Sequence, residues 1–368
     1  MANPCFLSGS TCDLAQVSVQ KSARLEELLN GVMCRDTISV VLPDCTRPLP
    51  FEKVLPLIET SFPNMQQWIV GLGLHRQLTT SEMALLQNRT SRPVLQHDPD
   101  DCVSIDEIEG GSVGVSRHLF ASGWILTVGV VEVHQYAGVS GGYKGVVVGC
   151  GSRNSISRLH AREMVCHPKV EVGKIVDNPF RDEIERLGRL LPYTMGLMWV
   201  PSLREWWLGT PEDLLLEAGT CVSPWKTVQK SYDGVVLHVP SVKGVSLYQA
   251  SRAATYLALS PRPPLNFGAK IIIDAQMPEG LGSESGFVKA LNLFSAPWTE
   301  VLEVDIQGAG SQRMWMLARL AQRYQLYVRG VDNPEVFESV GIPLYNGEIP
   351  SGWLQVHSPF NEIPQVAN

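Results

Sequence analysis

No uninterrupted apolar run in this sequence reaches the ~18 residues that a membrane-crossing helix needs. No basic stretch followed by an apolar one opens the chain, and no twin-arginine or lipid-anchor signal is visible. The expectation is a soluble cytoplasmic protein without a membrane partner. Charge is sparse, at 18% Asp, Glu, Lys and Arg, and positive charge is in deficit: 30 basic against 37 acidic residues give a net −7. Nucleic-acid binding draws on clustered positive charge, so that class is excluded. A small anionic ligand is not excluded, because a few local arginines suffice for one carboxylate. The cysteines (Cys5, Cys12, Cys34, Cys45, Cys102, Cys150, Cys166 and Cys221) include no CxxC and no zinc-ribbon spacing, and they read as free thiols of a reducing compartment. Also missing are the Walker A loop, the GxGxxG fingerprint, the GxSxG nucleophile elbow and HExxH.

What is present is apolar and periodic. Hydrophobic residues make up 44% of 368, enough for two domains or one large one. Strand-like runs at Thr37–Leu42 (TISVVL), Trp68–Leu74 (WIVGLGL) and Ile125–Val133 (ILTVGVVEV) alternate with helix-like segments. These helices are predicted at Phe51–Thr60, Thr80–Gln87, Arg153–Val165 and Arg181–Leu191. The pattern restarts after a Gly/Pro/Ser-containing stretch at Gly219–Gly234. Strands follow at Gly234–Val239, Ala269–Asp274 and Leu326–Arg329, and helices at Leu247–Leu259, Ser311–Tyr324 and Pro334–Val340. Such alternation predicts an α/β protein of two α/β domains, 1–225 and 226–368, with mainly parallel sheets and an active-site cleft between them.

Polar residues gather where those strands end. Asp44 and Arg47 follow the first, His75 and Arg76 the second, and His134 the third. Ligands of parallel sheets bind beyond the carboxyl ends of strands, so one shared site is suggested. Each residue alone is equally compatible with a surface or capping role. The loop GVSGGYKG (Gly138–Gly145) is rich enough in glycine to let its backbone approach a ligand, or simply to turn tightly. His160, on the next helix, has no partner histidine at i+4, so an all-protein metal site is not supported. Tyr248 and Arg252 are one helical turn apart with Gln249 between them, and together they suit either a carboxylate or simple packing. Gly- and Glu-containing MPEGLG at Met277–Gly282 reads as a polar loop, and the Trp199/Trp206/Trp207 segment as packing or a lid.

In this combination the chain resembles the nickel-pincer lactate racemase family. The resemblance rests on Asp44-Cys45-Thr46-Arg47-Pro48, on His75, and on His134 ahead of Gly138-Val139-Ser140-Gly141-Gly142-Tyr143-Lys144. It also rests on His160 downstream and on Tyr248-Gln249-Ala250-Ser251-Arg252. It implies a racemase or epimerase of a 2-hydroxy acid, acting by hydride transfer to and from a covalently tethered nickel-pincer nucleotide. Lys144 would carry the cofactor through a thioamide and His160 would complete the nickel coordination. Ser140, Gly141, Gly142 and Thr46 would line the cofactor, which separate synthesis enzymes supply. His75 and His134 would be the acid/base pair, and Asp44 would orient a histidine. Arg47, Tyr248, Gln249 and Arg252 would bind a small anionic 2-hydroxy acid. The 1–225 domain would hold the cofactor and 226–368 would close over substrate. Arg252 stands where the family has lysine, Tyr143 is bulkier than expected, and the family's Trp–Gln pair is not evident near Gln312 and Arg313. The other reading is a non-catalytic protein that binds or stores the cofactor or a hydroxy acid.

Overall fold

Five buried residues in succession, Ile38 to Leu42, all apolar except Ser39, call for a strand covered on both faces. That strand, Ile38–Pro43, is central to the first of two compact units in a computed structural model. The structure describes residues 19–30, 32, 36–45, 47–109, 111–221, 223–294, 296–308 and 310–367. Thr46, expected at the cofactor, lies outside the described residues, as do Cys5, Cys12 and Cys34.

The first unit comprises residues 1–131, 141–155 and 184–217. Its seven-stranded sheet runs, in spatial order, Gln20–Ser22, Glu205–Gly209, Tyr193–Val200, Trp124–Val130, Ile38–Pro43, Met65–Gly71 and Val94–Gln96. From Tyr193–Val200 onward every pairing is parallel, with Val40 opposite both Leu126 and Trp68. The edge is antiparallel. That edge is a hairpin containing Trp199, Trp206 and Trp207, so these tryptophans belong to strands, and Trp206 and Trp207 are buried. The helix Phe51–Ser61 buries Val54, Leu55 and Ile58 against this core, while its internal Pro56 is exposed. Glu52, whose carbonyl loses its helical donor to that proline, is exposed to water too.

The second unit comprises 132–140, 156–183 and 218–368. A four-stranded, all-parallel sheet runs Gln325–Arg329, Leu265–Asp274, Tyr232–His238 and Leu354–Val356. The helix Leu247–Ala258 is buried on nearly every side. Its small residues Ala250, Ala253 and Ala254 allow that depth, and it lies beside the helix Gln312–Ala321. The protein is therefore α/β with mainly parallel sheets. The chain passes between the two units several times.

Three segments differ from the sequence expectation for local reasons. The second strand ends at Gly71, not residue 74, because Gly73 takes φ 57° and the His75 N–H turns back to the Leu72 carbonyl. The third ends at Val130, and Val133–His134 pairs instead with Gly138–Val139 as a small hairpin. The helix expected over 153–165 is two helices, Arg153–Leu159 and Arg162–Val165, broken where Ala161 is extended (ψ 151°).

The helix Thr80–Gln87 begins as the sequence predicts. Thr79 and Glu82 form a reciprocal capping box, and Glu82 also takes both guanidinium nitrogens of Arg76 at 2.8 and 3.0 Å. The Arg76 contacts, with help from the Thr79 backbone and hydroxyl, hold the Glu82 carboxyl down to about 2. The carboxylate thus contributes stability above its ordinary value of 4.5, and that contribution is lost as pH falls through the folded value. Glu82→Gln should flatten the acid limb of the stability profile between those two points. An unchanged limb, read by circular dichroism, would remove this clamp from the account.

Candidate active site

In the first unit the carboxyl ends of adjacent parallel strands bring together Asp44 and His75. Asp44 follows Pro43, the last residue of its strand, and His75 follows the Leu72 turn. His75 Nδ1 lies 3.3 Å from Asp44 Oδ2. A carboxylate only accepts, so Nδ1 carries the hydrogen and Nε2 keeps the lone pair. Asp44 is largely buried and His75 is half exposed, with side-chain exposures of 13% and 47%. Cys45, beside Asp44, is no nucleophile: burial, then Glu82 and Asp44, push its thiol up to about 11. Arg76 is committed to Glu82. Arg47 sits in the same turn, its N–H on the Asp44 carbonyl.

The glycine loop of this unit is built for close approach. Gly141 (φ 99°) and Gly142 (φ 60°) adopt the left-handed region. A Cβ on Gly142 would meet Leu215 at 2.7 Å. Lys144 opens the short helix Lys144–Val147 and is half-buried. Tyr143, the bulky residue before it, is buried with its ring against Gly188, where a Cβ would lie 2.2 Å away. Its bulk is absorbed by a glycine.

In the second unit, the Val133–His134/Gly138–Val139 hairpin presents His134. Asn178 donates to the Tyr136 carbonyl at 2.8 Å, and Arg181 donates to the carbonyls of Ala137 and Val139. Both side chains are essentially inaccessible. Ser140 ties the same loop shut: its hydroxyl accepts from Glu132 N–H at 2.9 Å. Glu132 in turn pairs with Lys243 at 2.9 Å. Within this frame His134 Nδ1 accepts two backbone N–H groups, from Tyr136 (3.2 Å) and Ala137 (3.1 Å). The neutral ring therefore bears its hydrogen on Nε2.

His160 has the opposite polarity. Its Nδ1 is 2.9 Å from the Ile156 carbonyl, to which it must donate, leaving Nε2 as a lone pair. This backbone-anchored neutral imidazole is the form that ligates a metal. His134 and His160 both meet the ring of Tyr136 edge-on, at centroid distances of 5.8 and 5.9 Å. Among the described residues no group of three or more His, Cys, Asp or Glu could hold a metal ion. A metal here would draw part of its coordination from a bound molecule.

Tyr248, Gln249 and Arg252 lie on the buried helix Leu247–Ala258, with the Arg252 guanidinium on the Gln249 side chain and carbonyl. The guanidinium over the Tyr248 ring is that of Arg313, 5.8 Å from its centroid. Arg313 is 4% exposed and also bonds Gln135 Oε1 (2.8 Å) and Thr255 Oγ1 (3.2 Å). From sequence alone Gln135, Tyr136, Thr255 and Arg313 carry no assigned role. The available signal was an arginine in the apolar run QRMWMLARLA. His238 pairs with Asp274 at 2.9 Å and stacks on His357.

The candidate residues thus divide by unit: Asp44, Arg47, His75, Gly141, Gly142 and Lys144 in the first, and His134, Ser140, His160, Tyr248, Gln249 and Arg252 in the second. The class so defined is an α/β protein whose imidazoles offer one basic nitrogen, one N–H donor and one metal-type lone pair. Residues 14–173 match the sequence model of the lactate racemase N-terminal domain. Two lactate racemases resemble it. That of Lactiplantibacillus plantarum is 26% identical over 180 residues, 46% of this chain and 42% of the relative. That of Thermoanaerobacterium thermosaccharolyticum is 25% identical over 176 residues, 44% of this chain and 40% of the relative. The matched stretch spans less than half the length of each relative. In fold, the chain is similar to the lactate racemase apoprotein of T. thermosaccharolyticum, with a TM-score of 0.77 at 19% identity over 93% of this chain and 89% of that one. It is also similar to a Thermotoga maritima protein, with a TM-score of 0.72 at 14% identity over 93% and 96%. Among the described residues no helix is long and apolar enough to cross a membrane.

The ring polarities are directly measurable. Long-range ¹H–¹⁵N correlation spectra near neutral pH should report His160 as the Nδ1–H tautomer and His134 as the Nε2–H tautomer. The reverse pattern at either ring would contradict its assigned partner.

Proposed function

We propose that this chain is a racemase or epimerase of a small 2-hydroxy acid that works with a nickel-pincer nucleotide tethered to Lys144. The carrying observation is the His75–Asp44 pair, at the carboxyl edge of a parallel sheet within the stretch that matches a lactate racemase domain. The residues present fit such a group. His160 offers Nε2 to nickel because its Nδ1 is spent on Ile156, and Gly141 and Gly142 keep the backbone beside Lys144 free of side chains. Sulfur donors would come from the cofactor, consistent with cysteines whose thiols burial keeps protonated, as at Cys45, Cys102 and Cys150.

When bound, the nucleotide would supply hydride acceptance and return at the carbon bearing the hydroxyl. This route suits a 2-hydroxy acid, whose α-proton is too weakly acidic for ready removal. The protein's part is proton handling and orientation. His75 Nε2 takes the hydroxyl proton, and Asp44, facing Nδ1, stabilises the imidazolium that forms. His134 presents Nε2–H to the substrate oxygen in its other orientation. To serve as a base there, it must release Nδ1 from the Tyr136 and Ala137 amides. The family resemblance gives Arg47 and Arg252 the task of fixing the carboxylate while the reacting carbon turns. Ser140 closes the loop that carries His134. The same reading places the protein in the cytoplasm, supplied with cofactor by synthesis enzymes.

Loss of optical rotation of an enantiopure 2-hydroxy acid, followed with cofactor-loaded protein, tests this. His75→Ala should slow turnover roughly 10²–10⁴-fold. Asp44→Asn should do so by a comparable factor, because an amide can hold the wrong tautomer. Cofactor content should stay unchanged in both. Wild-type turnover in the two variants would reject the proton-handling roles. Cofactor retention without any racemisation by the wild type would favour a storage protein.

A further inference from the structure

Three buried polar atoms of the second unit have no hydrogen-bond partner and belong to residues around one guanidinium: Arg313 Nε, Gln135 Nε2 and Tyr136 Oη. Arg313, Gln135 and Tyr136 are 4%, 4% and 3% exposed. The Gln135 amide is fixed in orientation, since its oxygen accepts from both Arg313 Nη1 and Thr255 Oγ1, at 2.8 and 3.0 Å. Its nitrogen therefore faces elsewhere as a donor. Arg313 is the charged group that acts most strongly on the Tyr136 hydroxyl. What surrounds Arg313 is a neutral amide, a hydroxyl and the face of Tyr248, and among the described residues no carboxylate pairs with it.

A buried cation without an anion is costly, and a buried donor without an acceptor adds to that cost. Here a guanidinium N–H, an amide N–H and a phenol hydroxyl are unpaired, and the first two can only donate. The complement is an anion with several lone pairs in one plane, which is a carboxylate. Its surroundings also set its place. The Tyr136 ring that contributes one donor touches His134 and His160 edge-on. An acid held by these donors would have its neighbouring carbon beside the two imidazoles. Arg252, the cation that the family resemblance would assign to this task, already bonds Gln249 twice.

We infer that Arg313, with Gln135 and Tyr136, forms the carboxylate-binding subsite of this protein and so decides which hydroxy acids it accepts. The inference rests on the proposed racemase reading for its choice of ligand, but its test does not need the reaction. Full-length protein without cofactor is titrated with sodium lactate, sodium propanoate or sodium phosphate at matched ionic strength, and followed by calorimetry and melting temperature. The wild type should bind both carboxylates and melt at a higher temperature with them. Arg313→Met should bind roughly tenfold to a hundredfold more weakly, as loss of a charge-assisted pair does. Gln135→Glu guards against simple misfolding. It places a carboxylate of the protein's own on Arg313, so it should melt no lower than the wild type without ligand, yet bind added carboxylate at least about tenfold more weakly. Undiminished carboxylate binding in both variants overturns the inference, as does a wild type that binds neither carboxylate or only phosphate. If the subsite behaves as stated and no enantiopure 2-hydroxy acid is racemised, the functional proposal fails and the subsite stands. If racemisation proceeds with KM unchanged in Arg313→Met, the subsite fails and the functional proposal stands.

Discussion

Three imidazole rings in this protein are each fixed through one nitrogen, and what each offers to chemistry is the other. His75 spends Nδ1 on a carboxylate, His160 on a backbone carbonyl, and His134 on two backbone amides. The first two partners accept and the third pair donates. Two rings are thereby left with an Nε2 lone pair and one with an Nε2–H. In the proposed roles, a base, a metal ligand and a hydrogen-bond donor arise from one residue type. Much of the surrounding structure serves to hold these partners in place. The Leu72–His75 turn, the break at Ala161 and the hairpin clasped by Asn178 and Arg181 each position one of them.

That division bears on the economy of charge. The chain is net negative, and its surface pairs its ions conventionally, as at Arg153–Asp100 and Arg186–Asp106. Exposed pairs of this kind contribute little to stability. The buried cations are different. Arg181 spends its donors on the Ala137 and Val139 carbonyls of the His134 loop, and so it is structural. Arg313 meets a neutral amide, a hydroxyl and a ring face. The contrast between these two buried arginines is what separates a brace from a subsite.

Much of the fold was legible because it is written in local pattern. Buried β-branched runs such as ISVVL, the Thr79/Glu82 capping signal and the i, i+4 placement of Tyr248 and Arg252 are all short-range. The antiparallel hairpin at Tyr193–Gly209 was missed because its tryptophan-rich strands lack simple alternation. The helix break at Ala161 was missed because no proline or glycine marks it. For the candidate site, motif residues such as Asp44, His75 and Lys144 can be proposed from sequence. Which nitrogen of each histidine carries the hydrogen cannot, because it depends on carbonyls, amides and a carboxylate whose positions exist only in the folded chain. Arg313 was hidden for a related reason. An arginine in an apolar helix gives no hint of its partners until Gln135 and Thr255, far away in sequence, are brought to it.

The central claim is that this chain carries a nickel-bearing nucleotide on Lys144. The most direct measurement is intact and peptide mass spectrometry, with nickel analysis, of protein produced alongside the cofactor-synthesis enzymes and nickel. The account predicts a single added mass on the wild-type chain, localised to the peptide containing Lys144, with about one nickel per chain by the cofactor's stoichiometry. It also predicts that Lys144→Ala is folded and unmodified. A wild-type protein that is folded, nickel-free and of unmodified mass under those conditions would contradict it.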